Sequence, residues 1–285
     1  MFMRRSWLTG RCLAGAGLLL AASAASAQTT EPGAPPPGDS ITIGIGGAIA
    51  PTYEGSNDYS LVPAALVRGQ LAGFNFFSRA TALYVDLARE PAGAKTDLLI
   101  GPMGNLRFDR SNAIEDVAVR RLGKLDTAIE LGGFVGLGRS GLLNPYDYGS
   151  VRLDVVTDVT GTHDGTIVTP NIEYGTPLNR KTYAGLNLSA DHASGSFADT
   201  YYSVDAAGSA RSGLRQYDAG SGFKNARITL LGVRMLTGDL TTTGLGFFVV
   251  GSYSRMFGDF KNSPLVRDVG SKNQYFAAAG LSYSF

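Results

Sequence analysis

Beyond about residue 40, apolar and polar residues alternate with a period of two, in segments of about ten residues separated by turn chemistry. The pattern is cleanest in the middle of the chain. Over 151–159, Val151, Leu153, Val155 and Val159 alternate with Arg152, Asp154 and Asp158. Over 166–174, Val168, Ile172 and Tyr174 alternate with Thr169, Asn171 and Glu173, and over 183–191, Ala184, Leu186, Leu188 and Ala190 alternate with Asn187, Ser189 and Asp191. A soluble β-sandwich gives the same alternation, because one face of each strand is wet and the other buried. Sandwich strands, however, average about 5–6 residues. The segments here are nearer the 9–11 or so that a tilted strand needs to cross the hydrocarbon layer. Length therefore selects an all-β fold, a transmembrane antiparallel barrel.

Eleven strands can be marked: 40–53, 61–69, 74–87, 97–107, 126–138, 148–159, 165–175, 181–193, 219–236, 240–257 and 273–285. Single-chain bacterial barrels have even strand numbers, so twelve are expected, with ten as the alternative. Counting back from a periplasmic C-terminus places 108–125, 194–218 and 258–272 outside the cell as long loops, and Thr237-Gly238-Asp239 inside as a short turn. The miscount then falls near the N-terminus. The last segment carries Tyr275, Ala277, Ala279, Leu281, Tyr283 and Phe285 on one face and ends on the aromatic. It resembles the terminal signal read by the outer-membrane barrel assembly machinery, an expected partner during insertion, as outer-membrane lipid is afterwards.

The ends of the chain change the picture of where it works. Arg4 and Arg5, an apolar run from about Cys12 to Ala22, and Ala25-Ser26-Ala27 form a secretory signal over residues 1–27, with cleavage expected between Ala27 and Gln28. The run is shorter than the roughly 20 residues of a membrane-spanning helix, and Thr9-Gly10-Arg11 before Cys12 is not a lipobox. Residues 28–39, rich in Pro and Gly, read as a disordered periplasmic tether, and 40–285 as the barrel. Cleavage removes the only Cys and the only Trp, and leaves 22 basic against 24 acidic residues. That balance excludes a clustered basic field for nucleic acid. An exported chain of this length without a disulfide needs a large core or a closed ladder, and 38 Gly, 13 Tyr and 14 Phe with 17% charged residues favour the ladder.

Candidate chemistry is sparse. Gly136-Leu-Gly138-Arg-Ser-Gly141 has the spacing of a dinucleotide fingerprint, but Leu-Leu-Asn-Pro follows where a helix would have to begin, so it reads as strand and turn. Neither histidine has a companion at metal-ligand spacing. His163 lies before Asp164-Gly165, a hairpin signal, and reads as a loop-tip residue. His192 follows Asp191 near Ser189, Ser194 and Ser196, a weak hint of a barrel hydrolase set against a polar strand end. No catalytic residue, cofactor or metal is expected. Asn105, Arg107, Glu130, Arg152, Asp154, Asp158 and Glu173 fall on inferred lumen faces, where mixed charges pair across a narrow interior rather than line a wide pore.

Several stretches in order resemble the MipA/OmpV family of outer-membrane proteins over nearly the whole exported chain. They are Pro51-Thr-Tyr53-Glu54-Gly55-Ser56 with Asp58-Tyr59 and Pro63, Gly101-Pro102, Glu130-Leu-Gly-Gly-Phe134, Ser212-Gly213-Leu214 with Tyr217, Ala219 and Gly222, and Ser263-Pro264-Leu265-Val266 with Gly270-Ser271 and Asn273-Gln274. They read as loop and rim anchors. Gly213 and Gly270 suit turns with positive φ, and Tyr53, Tyr59 and Tyr217 suit headgroup depth, in girdles built of Tyr and Phe alone. The resemblance implies a non-enzymatic interaction protein that links a lytic transglycosylase and a peptidoglycan synthase to the outer membrane, with a narrow solute pore as the alternative.

Overall fold

A computed structural model describes residues 39–89, 93–111 and 114–285. The expected signal and all but the last residue of the expected tether lie outside the described residues. Twelve antiparallel strands close into a barrel in strict sequence order, each paired with the next and the last with the first. They are β1 (Ser40–Pro51), β2 (Tyr59–Leu71), β3 (Phe74–Arg79), β4 (Ala82–Asp86), β5 (Thr96–Arg107), β6 (Ala128–Ser140), β7 (Tyr148–Asp158), β8 (Thr166–Asn179), β9 (Thr182–Ala193), β10 (Gly222–Met235), β11 (Gly244–Met256) and β12 (Asn273–Ser284). The count of twelve holds, and the extra strand is where the counting placed it. The segment 74–87 is not one strand but β3 and β4, folded back at Ala80, which carries a φ of 48°.

Closure is set by the ladder Thr42↔Ser284 to Ile49↔Ala277, and the Phe285 N–H donates to the Ile41 carbonyl at 2.8 Å. Ile43, Ile45, Ile49, Leu98, Ile100, Val151, Leu153, Ile172, Leu230 and Leu281 all point outward and are 42–69% exposed. A belt of that composition is unstable in water and stable in lipid. Tyr253 and Tyr275, 5.3 Å apart, mark its upper edge; Tyr283 and Phe285, 4.9 Å apart, mark the edge near the termini. Phe285 is 63% exposed on this face. Deleting it should therefore lower the amount of barrel that reaches the membrane while leaving the melting temperature of assembled molecules near normal. A full yield with a much lower melting temperature would make it a packing residue instead.

At the end of the barrel that holds the termini, the connections run from the two-residue turns Ala72-Gly73 and Arg180-Lys181 to longer ones such as 236–243, in which the expected short turn Thr237-Gly238-Asp239 is only a part. At the other end, the three long stretches read as polar loops contain five short helices: α1 (Val117–Leu122), α2 (Gly195–Tyr202), α3 (Ala206–Ser212), α4 (Gly258–Asn262) and α5 (Pro264–Arg267). These fold inward. Phe197, Tyr201, Tyr202, Phe260, Leu265 and Val266 are at most 1% exposed, so the loops form a second small core seated on the barrel mouth. No described helix is long and apolar enough to cross a membrane.

Candidate functional site

The interior beneath this cap is the feature to explain, because a strand pattern of polar-in residues says nothing about whether they meet. Here they do. The β1–β2 loop dips into the mouth and carries Glu54 to the Lys224 ammonium (2.8 Å) and the Asn225 amide (3.0 Å), with Arg107 3.8 Å away. Lys224 also lies 3.3 Å from Asp191, which accepts from Asn225 and from Thr169. Across the lumen, Arg107 and Asn105 donate to Glu130 at 2.6 and 2.7 Å, and His163 is 3.1 Å from the same carboxylate. The cap closes over these charges: Phe197 of α2 lies 4.9 Å from the Arg107 guanidinium and 5.1 Å from the Lys224 ammonium, ring face to cation.

A second layer lies lower. Phe77 and Tyr84 stack at 4.8 Å, Phe134 meets Tyr84 edge-on, and the Arg152 guanidinium sits over Tyr84 while bonded at 2.6 Å to Asp154. Asp154 also accepts from Tyr84 and Asn171, and Arg79 pairs with Glu173. Each charge of these two layers thus has a partner, as a dry interior requires. Of the charges expected to pair, Arg152 meets Asp154 on its own strand, Arg107 meets Glu130 on the neighbouring strand and Glu173 meets Arg79 from β3, whereas Asp158 accepts from Thr160 and from backbone N–H groups of its own loop.

Lys224 reaches the lumen through a local defect in the wall. The β9–β10 register slips by one residue between Phe223 and Asn225, and at this bulge both Lys224 and Asn225 turn inward, each 1% exposed. An extra residue re-aims a side chain, which is the usual work of a bulge.

Outside the spanning segments, two carboxyls are shifted in opposite directions. Burial alone would raise Glu54, but Lys224 and then Arg107 outweigh it and hold the carboxyl below its usual range. Asp109, which accepts the Glu54 N–H at 2.8 Å, is pushed up to about 6 by burial and then by the Glu54 charge. A raised folded-state value means that Asp109 favours the fold at low pH and that this contribution is lost as pH rises through about 6. Asp109→Asn should therefore stabilise the cap at pH 7.5, on the order of 1 kcal/mol, and the gain should vanish near pH 4. Thermal melts at the two pH values check it; equal gains at both would remove Asp109 from the account.

Three of the five motif stretches, far apart in sequence, converge in the cap. Tyr53 is 2% exposed and its hydroxyl donates to the Leu265 carbonyl. Gly55 donates its N–H to Gln274 Oε1, and its carbonyl accepts from Ser271. Ser56, fully buried, bridges Gly270. The Ser263 hydroxyl donates to the Tyr202 carbonyl, and Pro264 opens α5. Ser212 closes α3, with Gly213 at φ 79° as its cap and Leu214 buried behind it. Tyr217 packs on the cap and donates to the Asp259 carbonyl. Gly101 and Pro102 stand apart from these, in the β5 wall.

Three expectations are corrected by this arrangement. Tyr53 and Tyr217 are cap residues and not part of a headgroup girdle, because their hydroxyls have carbonyl partners inside the loops. Of the three tyrosines only Tyr59 is on the rim, where its hydroxyl accepts the Tyr275 N–H. Gly270 does not have a positive φ; it is glycine because a Cβ would lie 2.1 Å from the Gly55 carbonyl oxygen. His163 is in the β7–β8 loop but not at its tip: it is 3% exposed and folded onto Glu130. His192 points to the outer face and stacks on Phe223 at 5.4 Å, whereas Ser189 lies on the lumen face of the same strand, so the two do not form a nucleophile–base pair. Gly136 and Gly138 lie in β6 and Gly141 in the turn after it, as the absence of a following helix requires.

A closed antiparallel barrel with an apolar belt, aromatic girdles and a plugged lumen defines an outer-membrane β-barrel protein. The family described as MltA-interacting protein MipA matches residues 43–285, and the chain belongs to it. No curated protein matches. Among solved structures, the chain is similar to the Pseudomonas putida toluene transporter TodX (9% identity, 87% of this chain and 89% of that one, TM-score 0.36). It is also similar to the outer membrane channel DcaP of Acinetobacter baumannii (9%, 90% and 100%, 0.35) and the Ralstonia pickettii toluene transporter TbuX (9%, 87% and 89%, 0.31). At these values neither solute carries over to this chain.

Proposed function

We propose that the protein is a non-enzymatic interaction protein of the outer membrane, exported by cleavage after Ala27 and oriented with its capped end outside and both termini in the periplasm. In this reading it holds a lytic transglycosylase, and through it a peptidoglycan synthase, at the membrane. One observation carries the choice of contact over passage: the mouth is shut by a packed core and, beneath it, by the Glu54–Lys224–Asp191 and Arg107–Glu130–His163 clusters. Opening that path would strip several buried charges of their partners, which is costly. The family's description supplies the class of partner.

The test is direct binding of the purified barrel, in detergent, to an MltA-type lytic transglycosylase from the same bacterium. A saturable complex in the micromolar range or tighter is expected, about −8 kcal/mol or more favourable. No binding at any attainable concentration would remove the scaffold reading and leave the narrow pore.

A further inference from the structure

The barrel wall is incomplete at one place. β2 is 13 residues long and pairs along its whole length with β1, but on its other side only Arg68–Leu71 pair with β3. The β3–β4 hairpin is too short to go further, and no described strand runs beside Tyr59–Val67 on that side. Val67 sends its N–H toward β3, to Ser78 Oγ. Alternate residues of a strand present their N–H groups to the same side, so positions 65, 63 and 61 face the gap. Position 63 is proline and offers no donor. A proline on this edge opposes the addition of another strand, which argues that the gap stays open rather than being filled by a partner's β-strand. The gap lies just below Tyr59 and Tyr275 on the rim, at the depth of the apolar belt.

What lies behind the gap departs from the polar interior of such barrels. Val62, Leu66, Leu231, Val250 and Phe276 all point into the lumen, as their pairing with Ala48, Gly44, Gly185 and Ala278 and the alternation along β12 require. None is buried, and Val62 is 37% exposed although it faces inward. At this height the wall from β10 round to β2 thus presents an unfilled apolar patch, interrupted by the Thr229–Ser252 hydroxyl pair and bounded by Arg227 and Gln274 toward the cap and by Thr42 and Ser284 toward the termini, opposite the wall that carries the Arg152 and Glu173 clusters.

The geometry points to a lateral portal: a small, uncharged, apolar molecule dissolved in the leaflet on the capped side passes between β2 and the β3–β4 hairpin and lodges against the apolar patch of the lumen. Ions have no such route, since the gap opens into hydrocarbon and the mouth is shut.

The test uses the purified exported protein, which holds no cysteine after the proposed cleavage at Ala27, in lipid nanodiscs preloaded with pyrene maleimide. Val250→Cys places a thiol in the apolar lumen, and Val249→Cys places one on the outer face next to it. Both should be labelled. Adding Ala64→Trp, whose ring stands on the lumen side directly behind the gap, between Val62 and Leu66, should slow labelling of Val250→Cys roughly tenfold and leave Val249→Cys unchanged. Excess naphthalene should slow the lumen thiol alone. Variants are used only if they show heat-modifiable migration; Ala64→Phe replaces Ala64→Trp if the latter does not assemble. An unreactive Val250→Cys, or a rate that ignores both the filled gap and naphthalene, overturns the portal. A rate that responds to naphthalene but not to the filled gap also overturns it, because the molecule then enters by the open end.

Discussion

Lys224→Met will lower the stability of the capped barrel by about 3–5 kcal/mol, the usual cost of removing one partner from a buried ion pair. The Lys224 side chain is 2% exposed and stands between two carboxylates, Glu54 and Asp191. Without it, the two carboxylates keep neutral donors, Asn225 for both and Thr169 for Asp191, but the remaining cations, Arg227 at 3.6 Å from Asp191 and Arg107 at 3.8 Å from Glu54, are beyond hydrogen-bond reach. The loss should appear as a lower melting temperature and as faster proteolysis of the β1–β2 loop. The double variant Glu54→Gln/Lys224→Met, which removes the charge at both ends, should recover part of the loss. If the single variant melts like the parent, the cluster does not hold the plug in place.

The second large effect is expected from Gly270→Ala. One methyl group there would sit 2.1 Å from the Gly55 carbonyl oxygen and 2.4 Å from that of Leu265, both backbone atoms that cannot rotate away. The contact is where the β1–β2 and β11–β12 loops lock together through Ser56↔Gly270 and the Ser271 N–H to the Gly55 carbonyl. Overpacking of this kind costs about 1–3 kcal/mol. Because the strain falls on the cap and not on a ladder, the barrel should remain heat-modifiable while the cap becomes sensitive to protease. Gly213→Ala, a helix cap with no heavy atom within 4 Å of the added carbon but with φ at 79°, should cost less, about 1 kcal/mol. Equal effects at the two positions would mean that backbone conformation, not close approach, explains Gly270.

The wall was legible because its signal is local. Strands such as β7 and β8 alternate over most of their length, broken where Val156 and Ile167 turn an apolar side chain inward, and outward residues such as Val151, Leu153 and Ile172 are those that face lipid. The split of 74–87 was not legible, since the turn uses Ala80 and Thr81, and an alanine at positive φ has no signature in sequence. The lumen charges were legible as a set but not as pairs. Arg107 and Glu130, 23 residues apart, meet through the register of the β5–β6 ladder, and Lys224 and Glu54, 170 apart, meet only when the barrel closes and the β1–β2 loop folds in. Lys224 itself was missed for a physical reason: it sits on a bulge, which breaks the parity that alternation depends on. The apolar patch of the lumen was hidden by the same rule, because strands such as β2 and β11 are apolar on both faces and alternation then cannot say which face is inside. The motif stretches were visible as stretches, yet that most of them meet in one cap follows only from loops that fold inward.

Planar-bilayer conductance tests the sealed barrel most directly, with the wild-type chain measured beside a variant in which a short Gly-Ser turn replaces residues 195–218. The wild type should insert without ionic current steps, and the variant, which loses Phe197, Tyr201 and Tyr202 from the mouth, should show stable ohmic steps. Steady ion-conducting steps from the wild type, equal to those of the variant, would contradict the account.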